Sequence, residues 1–548
     1  MDWKKSVQKA TAVTIETKDY VSYCTMVEML LEQNLTHKEE DRLDLLRCLH
    51  EELQKLEHER LTKEIAWDVL GMLLPFVSDG SSKEARDFVH FLAEKGNPKE
   101  VFLKSNEILT NTVFQNLSQL EVTIDSMNLA MSRIETNRPL AFLDNYIFSL
   151  CSGITRILLV REIDRLRMWH ICLDSMEKMT QRFGKYPECH PNLTAAFTIF
   201  AEQFFSFECL CFSFRERLRS NDPHIKFRNN RVPYDAKKLQ EMDCILLRFL
   251  DSFDAVCSMG VDNWDRLAKY FYNELINPDD TQGSQSVQKQ EEEEQGEGDM
   301  DQKVGIDFKG CVAMITIRSY YRERNFLEEI IYKSKQPIML KSIFTLMLME
   351  GNSDTSCFID LALYQSLLLL NFIIERSTKD CKGLFSLLQT YQYFSAFNTE
   401  PWIRLIANDI VFYLLDSLPL DRRFTYALDT LEECPFENVK ASILNYYQKN
   451  GVLSKPAENN PFLEKENIFK VISIILDDLS NPTAEPLSLI YLQQALIFMY
   501  YLKFQNCLEY NDQILHFLKN IESFIQKNEE NVSTQNFTYY LNLLQLEK

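Results

Sequence analysis

Apolar residues recur at spacings of three and four wherever the chain is scanned, the pattern of helices that bury one face. Tyr20, Tyr23, Cys24, Val27, Leu30 and Leu31 form one such stripe after Asp19, and Leu46, Leu49, Leu53 and Leu56 form the next. Near the far end Ile514, Leu515, Leu518, Ile521 and Ile525 repeat it. Leu487–Leu502 is apolar nearly all round, which predicts an inner helix packed on several sides. No alternating apolar and polar run bounded by hairpin turns is found, so strand content should be close to nil.

The breaks between stripes carry helix punctuation. Ser78-Asp79-Gly80-Ser81-Ser82 is a loop ending in N-cap residues. Gly96-Asn97-Pro98-Lys99-Glu100 places glycine after one helix, then a cap and a first-turn proline for the next. Pro435, Gly451, Pro456, Pro461, Pro482 and Pro486 punctuate the C-terminal half. Paired amphipathic helices continued over 548 residues predict an all-α fold, an irregular HEAT- or armadillo-like α-solenoid. No strict period is visible, and a large non-repetitive helical bundle is the alternative. Asn277–Lys303 departs from the pattern, with only Val287 and Met300 as apolar side chains. It cannot offset chain entropy and reads as a disordered acidic loop, a solvated insertion or a contact for a basic partner segment. The chain is thus expected to divide into an N-terminal helical-repeat half (1–276), the acidic loop (277–304) and a C-terminal helical-repeat half (305–548).

Composition agrees with the helices. Glycine (14) and proline (16) are scarce, each at roughly half its average usage of ~7% and ~5%. A net charge of −21 argues against nucleic acid or an anionic membrane as the main partner and would suit a basic one. The opening residues lack the apolar core of a secretory signal. Of the longest apolar runs, Leu361–Ile374 is too short to span a bilayer, and Phe142–Val160 contains Asp144, Asn145 and Arg156. Fourteen cysteines without a CxxC pair point to a reducing compartment, cytoplasmic or nuclear. The sequons at Asn34, Asn116 and Asn192 carry no meaning there.

The search for chemistry is negative. The chain has no Walker loop, no GxGxxG after a strand, no GxSxG elbow and no HExxH, and its eight histidines are dispersed. No catalytic, cofactor-binding or metal-ligating residue is assigned, and no cofactor is expected. Cys209 and Cys211, in the aromatic stretch Phe204–Phe214, should lie in a buried helix, where residues two apart face away from each other. Cys189, between Pro187 and Pro191 and beside His190, reads as a loop-exposed thiol and the best candidate for a redox role.

Two patches resemble a known family. Glu64-Ile65-Ala66-Trp67-Asp68-Val69-Leu70 precedes Leu73-Leu74-Pro75-Phe76, and Gly96-Asn97-Pro98-Lys99-Glu100-Val101-Phe102-Leu103 runs into Asn106-Glu107-Ile108-Leu109. A helix with a (G/A)-W-(D/N) step followed by one opened by (N/E)-P-K is similar to the fungal Yap-binding proteins and their relatives, glomulin and a plant lateral-root-formation protein. On physical grounds Trp67 would anchor the inner face of its helix, with Asn97 and Pro98 starting the partner helix. The resemblance implies a non-enzymatic adaptor in the oxidative-stress response. Such a protein would bind a Yap-type bZIP transcription factor and favour its oxidation by a thiol peroxidase and its nuclear accumulation. Related branches imply two alternatives: a scaffold among kinetochore subunits, or a glomulin-like inhibitor binding the RING subunit of a cullin ligase. No partner-contacting residue carries over from the family.

Overall fold

The computed structural model describes residues 3–78, 83–157, 164–205, 236–258, 263–276, 304–322, 381–398, 401–449, 460–508, 511–528 and 535–545. Asp79–Ser82, Cys209, Cys211, most of Phe204–Phe214, the Asn277–Lys303 segment and Leu361–Ile374 lie outside these residues. The described residues form twenty-one α-helices and no strand. They divide into two compact units, Met1–Lys335 and Gln336–Lys548.

The first unit runs through α1 (Trp3–Thr17), α2 (Tyr20–Leu35), α3 (Glu39–Leu53), α4 (Glu59–Met72), α5 (Lys83–Lys95), α6 (Pro98–Asn111) and α7 (Leu117–Arg133). It continues with α8 (Pro139–Ile157), α9 (Arg165–Phe183), α10 (His190–Phe205), α11 (Ala236–Cys257), α12 (Asn263–Ile276) and α13 (Phe308–Tyr321). Each helix packs on its neighbour and on the helix two further along: α1 on α3, α2 on α4, and so on to α9 on α11. The result is an odd row and an even row, the two-layer stack of an α-solenoid. The even row ends differently, because α10 is covered by α13, which follows the 277–303 segment. That segment therefore lies within the first unit's span, and packing divides the chain at Lys335/Gln336.

Caps explain where the helices begin. The side chains of Asp19, Asn97, Asn116, Asp164 and Asp307 each accept from a backbone amide two or three residues on, satisfying donors that the helix leaves open. The stripe read through Leu56 ends earlier than its spacing suggests. α3 stops at Leu53, and Leu56 is 91% exposed. The chain turns there because His58 Nδ1 meets the Glu52 carbonyl at 2.7 Å and the Thr62 hydroxyl donates to the Leu53 carbonyl at 2.9 Å. The sequon asparagines are occupied in packing: Asn34 is fully buried, Asn116 is a cap and Asn192 donates to Asp144.

The second unit contains α14 (Cys381–Phe397), α15 (Pro401–Ser417), α16 (Leu420–Glu433), α17 (Glu437–Tyr447), α18 (Lys465–Asp478), α19 (Pro486–Phe504), α20 (Asp512–Lys527) and α21 (Gln535–Gln545). Again α16 packs on α18, α17 on α19, α18 on α20 and α19 on α21. Its centre is aromatic. Tyr447 lies 4.7 Å from Phe462 and 5.3 Å from Phe498, and its hydroxyl donates to the Phe462 carbonyl. α19 is long and apolar enough to cross a bilayer, yet Tyr491, Leu492, Ala495, Leu496, Phe498, Met499 and Leu502 are buried between α17 and α21. The expected packing on several sides is met only in part, because Leu487, Ile490 and Phe504 stay exposed on the remaining face. Lys503 ties it to α21 by donating to the Leu543 and Leu544 carbonyls at that helix's end.

Two predictions follow from this packing. A Cβ at Gly310 would stand 1.7 Å from the Thr198 carbonyl oxygen, a backbone atom that cannot swing aside, whereas one at Gly305 meets nothing within 4 Å. Gly310→Ala should therefore cost ~3 kcal/mol or more and speed amide exchange in α10 and α13, with Gly305→Ala as the neutral control. Burial pushes the Asp409 carboxyl up to about 6, opposed by Lys449. The folded chain holds this proton more tightly than the unfolded chain, so the group's stabilising contribution is fully present only below the ordinary carboxylate range. It is lost as pH rises through about 6. Asp409→Asn should raise the stability of the second unit by ~1–2 kcal/mol at about pH 8, with the gain shrinking towards about pH 5.5. Calorimetry across that range reads both ends.

Candidate interaction surface

The two motif patches meet in space. On α4 the inner face is Ile65, Ala66, Val69 and Leu70, all fully buried. Trp67 is not on it. The indole is half-buried, one position round the helix, with the Lys104 ammonium of α6 over its ring at 5.8 Å, a cation–π contact between stacked helices. The anchor at the crossing is the residue before it: Ala66 packs against Gly96 so tightly that a Cβ on the glycine would lie 2.6 Å from the alanine Cβ. Asn97 then caps α6, accepting from the Lys99 amide at 3.1 Å, with Pro98 in the first turn. The end of α5 is closed from α7, where the Arg133 guanidinium donates to the Ala93 and Gly96 carbonyls at 2.8 and 3.0 Å. Ala66, Gly96, Asn97 and Arg133 thus fix how α4, α5, α6 and α7 sit together.

The odd row presents a ladder of charges linking each helix to the next. Arg47 of α3 meets Glu84 of α5 at 3.0 Å. Arg86 of α5 and Arg167 of α9 converge on Glu121 of α7, and Lys178 of α9 reaches Asp125 of α7 at 3.3 Å. Arg248 of α11 grips Glu177 and Asp174 of α9, and Arg322, just past α13, meets Asp251 of α11. Exposed pairs stabilise by only ~0.2–1 kcal/mol each, more when shared between several partners. Their larger effect is on recognition, because six cations are spent inside the layer. Sequence spacing could not reveal this, since the partners lie 35 to 74 residues apart.

The thiols correct one expectation. Cys189 is fully buried in a short 3₁₀ turn, Pro187–Cys189, and burial pushes its thiol up to about 12. The adjacent His190 is also buried, with Nε2 on the Gly184 carbonyl at 2.7 Å. A thiol held protonated in an apolar setting is a poor nucleophile, so the exposed, activated cysteine read from the two prolines is absent at this position. Cys24 is likewise raised to about 12, chiefly by burial. Among the described residues no three His, Cys, Asp or Glu side chains gather as a metal site.

Stacked helix pairs that bury their apolar faces in rows are an α-solenoid, a class that presents extended surface for partners. A family described as "Uncharacterised protein family, YAP/Alf4/glomulin", whose label also names the kinetochore, matches residues 1–185 and 240–544, and the chain belongs to that family. It is also similar to the UPF0649 protein C1442.02 of Schizosaccharomyces pombe, with 32% identity over 99% of both chains. The stretch between the two matched blocks carries Cys189, Cys209 and Cys211.

The crossing at the motif yields a prediction. Gly96→Ala should destabilise the first unit by ~2–3 kcal/mol. Adding Ala66→Gly should return part of that loss, because it empties the space that the new methyl needs. Chemical denaturation of the single and double variants reads the coupling, and strictly additive losses would remove Ala66 from the account.

Proposed function

We propose that this chain is a non-enzymatic adaptor of the oxidative-stress response. In this reading it binds a Yap-type bZIP transcription factor in the cytoplasm and promotes the factor's peroxide-driven oxidation and nuclear accumulation. The observation that carries the reading is membership of the YAP/Alf4/glomulin family across nearly the whole chain. Thiol chemistry is assigned to the client and to a thiol peroxidase, since Cys24 and Cys189 are buried here with raised pKa values. A solenoid that holds two proteins side by side raises their effective concentration and needs no reactive group of its own. The kinetochore label and the glomulin relationship support the second readings, a chromosome-segregation scaffold or a ligand of a RING subunit.

The separating experiment is affinity purification of the full chain from cells before and after peroxide, together with the growth of a deletion strain. Recovery of a bZIP factor and heightened peroxide sensitivity are expected. Recovery of kinetochore or RING subunits instead, with sensitivity to microtubule poisons alone, would overturn the stress reading.

A further inference from the structure

The second unit contains a cavity of about 530 Å³ between α14, α16 and the start of α17. Its wall is aromatic: Phe385 stacks on Tyr426 with ring centres 5.6 Å apart, and the half-exposed Tyr393 stands beside them. Two features of this cavity are costly in the isolated protein. The first is an unmet donor. Gln392 lines the cavity and is only 9% exposed, yet its amide Nε2 has no hydrogen-bond partner. The Tyr426 hydroxyl beside it makes no well-formed hydrogen bond either. Its polar neighbour Thr430 gives its own proton to the Tyr426 main-chain carbonyl at 2.7 Å. A buried amide donor left without an acceptor costs ~1–3 kcal/mol.

The second is charge. α16 finishes in Asp429, Glu432 and Glu433, with no basic residue in its last turn. The exposed carboxylates of Asp429 and Glu433 line the cavity, and among the described residues neither they nor Glu432 form an ion pair. The C-terminal end of a helix already carries about half a negative charge, so acids there oppose the dipole, by ~0.3–1 kcal/mol each at an exposed site.

An apolar slot, a buried donor facing it and an acidic lining are all satisfied by one kind of ligand. We propose that this cavity is the docking site for a basic segment of a protein partner. An aromatic or long aliphatic side chain of that segment seats against Tyr426 and Phe385. A main-chain carbonyl accepts from Gln392 Nε2, and a lysine or arginine lies against Asp429 and Glu433. The assignment is independent of which client the preceding section names, because it concerns the chemistry of the bound segment alone.

The test uses the full chain and a fluorescein-labelled peptide, Lys-Arg-Gly-Trp-Gly-Lys-Arg. Micromolar binding is expected, weakened at least ~10-fold when the peptide's tryptophan is replaced by glycine or when the protein carries Asp429→Lys with Glu433→Lys. The same double variant should melt at a higher temperature, since cations suit a helix C-terminus; it therefore separates lost recognition from lost folding. Cys434 lines the same cavity, so bound peptide should slow its alkylation as read by mass spectrometry, while the exposed Cys244 reacts unchanged. Absence of binding at ~100 μM overturns the proposal. So does binding indifferent to the double variant, or an unaltered rate at Cys434.

Discussion

Two helices can lie backbone against backbone only where neither carries bulk at the point of crossing, and this stack depends on a few such points. Gly96 against Ala66 and Gly310 against the Thr198 carbonyl leave no room for one added methyl, whereas a methyl at Gly153 meets the movable end of the Leu109 side chain. Each of the first two sets the separation of two helices, and the apolar stripes on either side can then interdigitate at interior density. Position and spacing are thereby decided at small residues, while the burial energy comes from large ones such as Leu92, Phe102 and Leu120. The motif around Trp67 is one of these crossings, which gives the family signature a mechanical meaning and leaves Trp67 itself as a half-exposed brace under Lys104.

The surfaces left after stacking differ in how their polar groups are settled. In the odd row of the first unit, carboxylates and guanidiniums answer one another from helix to helix. The second unit pairs the buried Lys440 with Asp478 and the buried Tyr446 with Asp416, yet leaves acids massed at the end of α16. A scaffold gains nothing from charges that are already satisfied. Recognition falls to groups whose best partner is absent from the chain itself, and the surplus of acidic residues fits a client that brings the opposite sign.

How much of this was legible in sequence follows from what local spacing encodes. Periods of three and four located α2 and α20 because their buried residues, Tyr23, Val27 and Leu31 or Ile514, Leu518, Ile521 and Ile525, fall on one face. Asn97 and Pro98 announced the start of α6 because capping is a local matter. Leu56, Trp67 and Cys189 misled because spacing alone does not say which side chains packing will bury. Thr62 ends α3, Ala66 takes the crossing that a larger neighbour seemed to claim, and packing encloses a thiol set among prolines. Gly310 gave no warning, since its contact is with a carbonyl more than a hundred residues earlier. The cavity beside Tyr426 was equally hidden, its Gln392 and Glu433 being ordinary helix residues in sequence.

Most helices of the first unit find both stacking partners within a few dozen residues, so contacts close soon after synthesis. α10 is the exception. Phe197 and Phe200 are covered by Phe249, Phe253 and Trp169 of α11 and α9, but the side of α10 that carries Thr198 is covered by a helix beginning at Phe308, and the Asp307 amide reaches Thr198 across 109 residues. A ribosome adding ~5–20 residues per second leaves that side of α10 waiting for roughly 5–20 seconds before its cover emerges. The length of the intervening segment therefore sets how long the contact at Thr198 must wait.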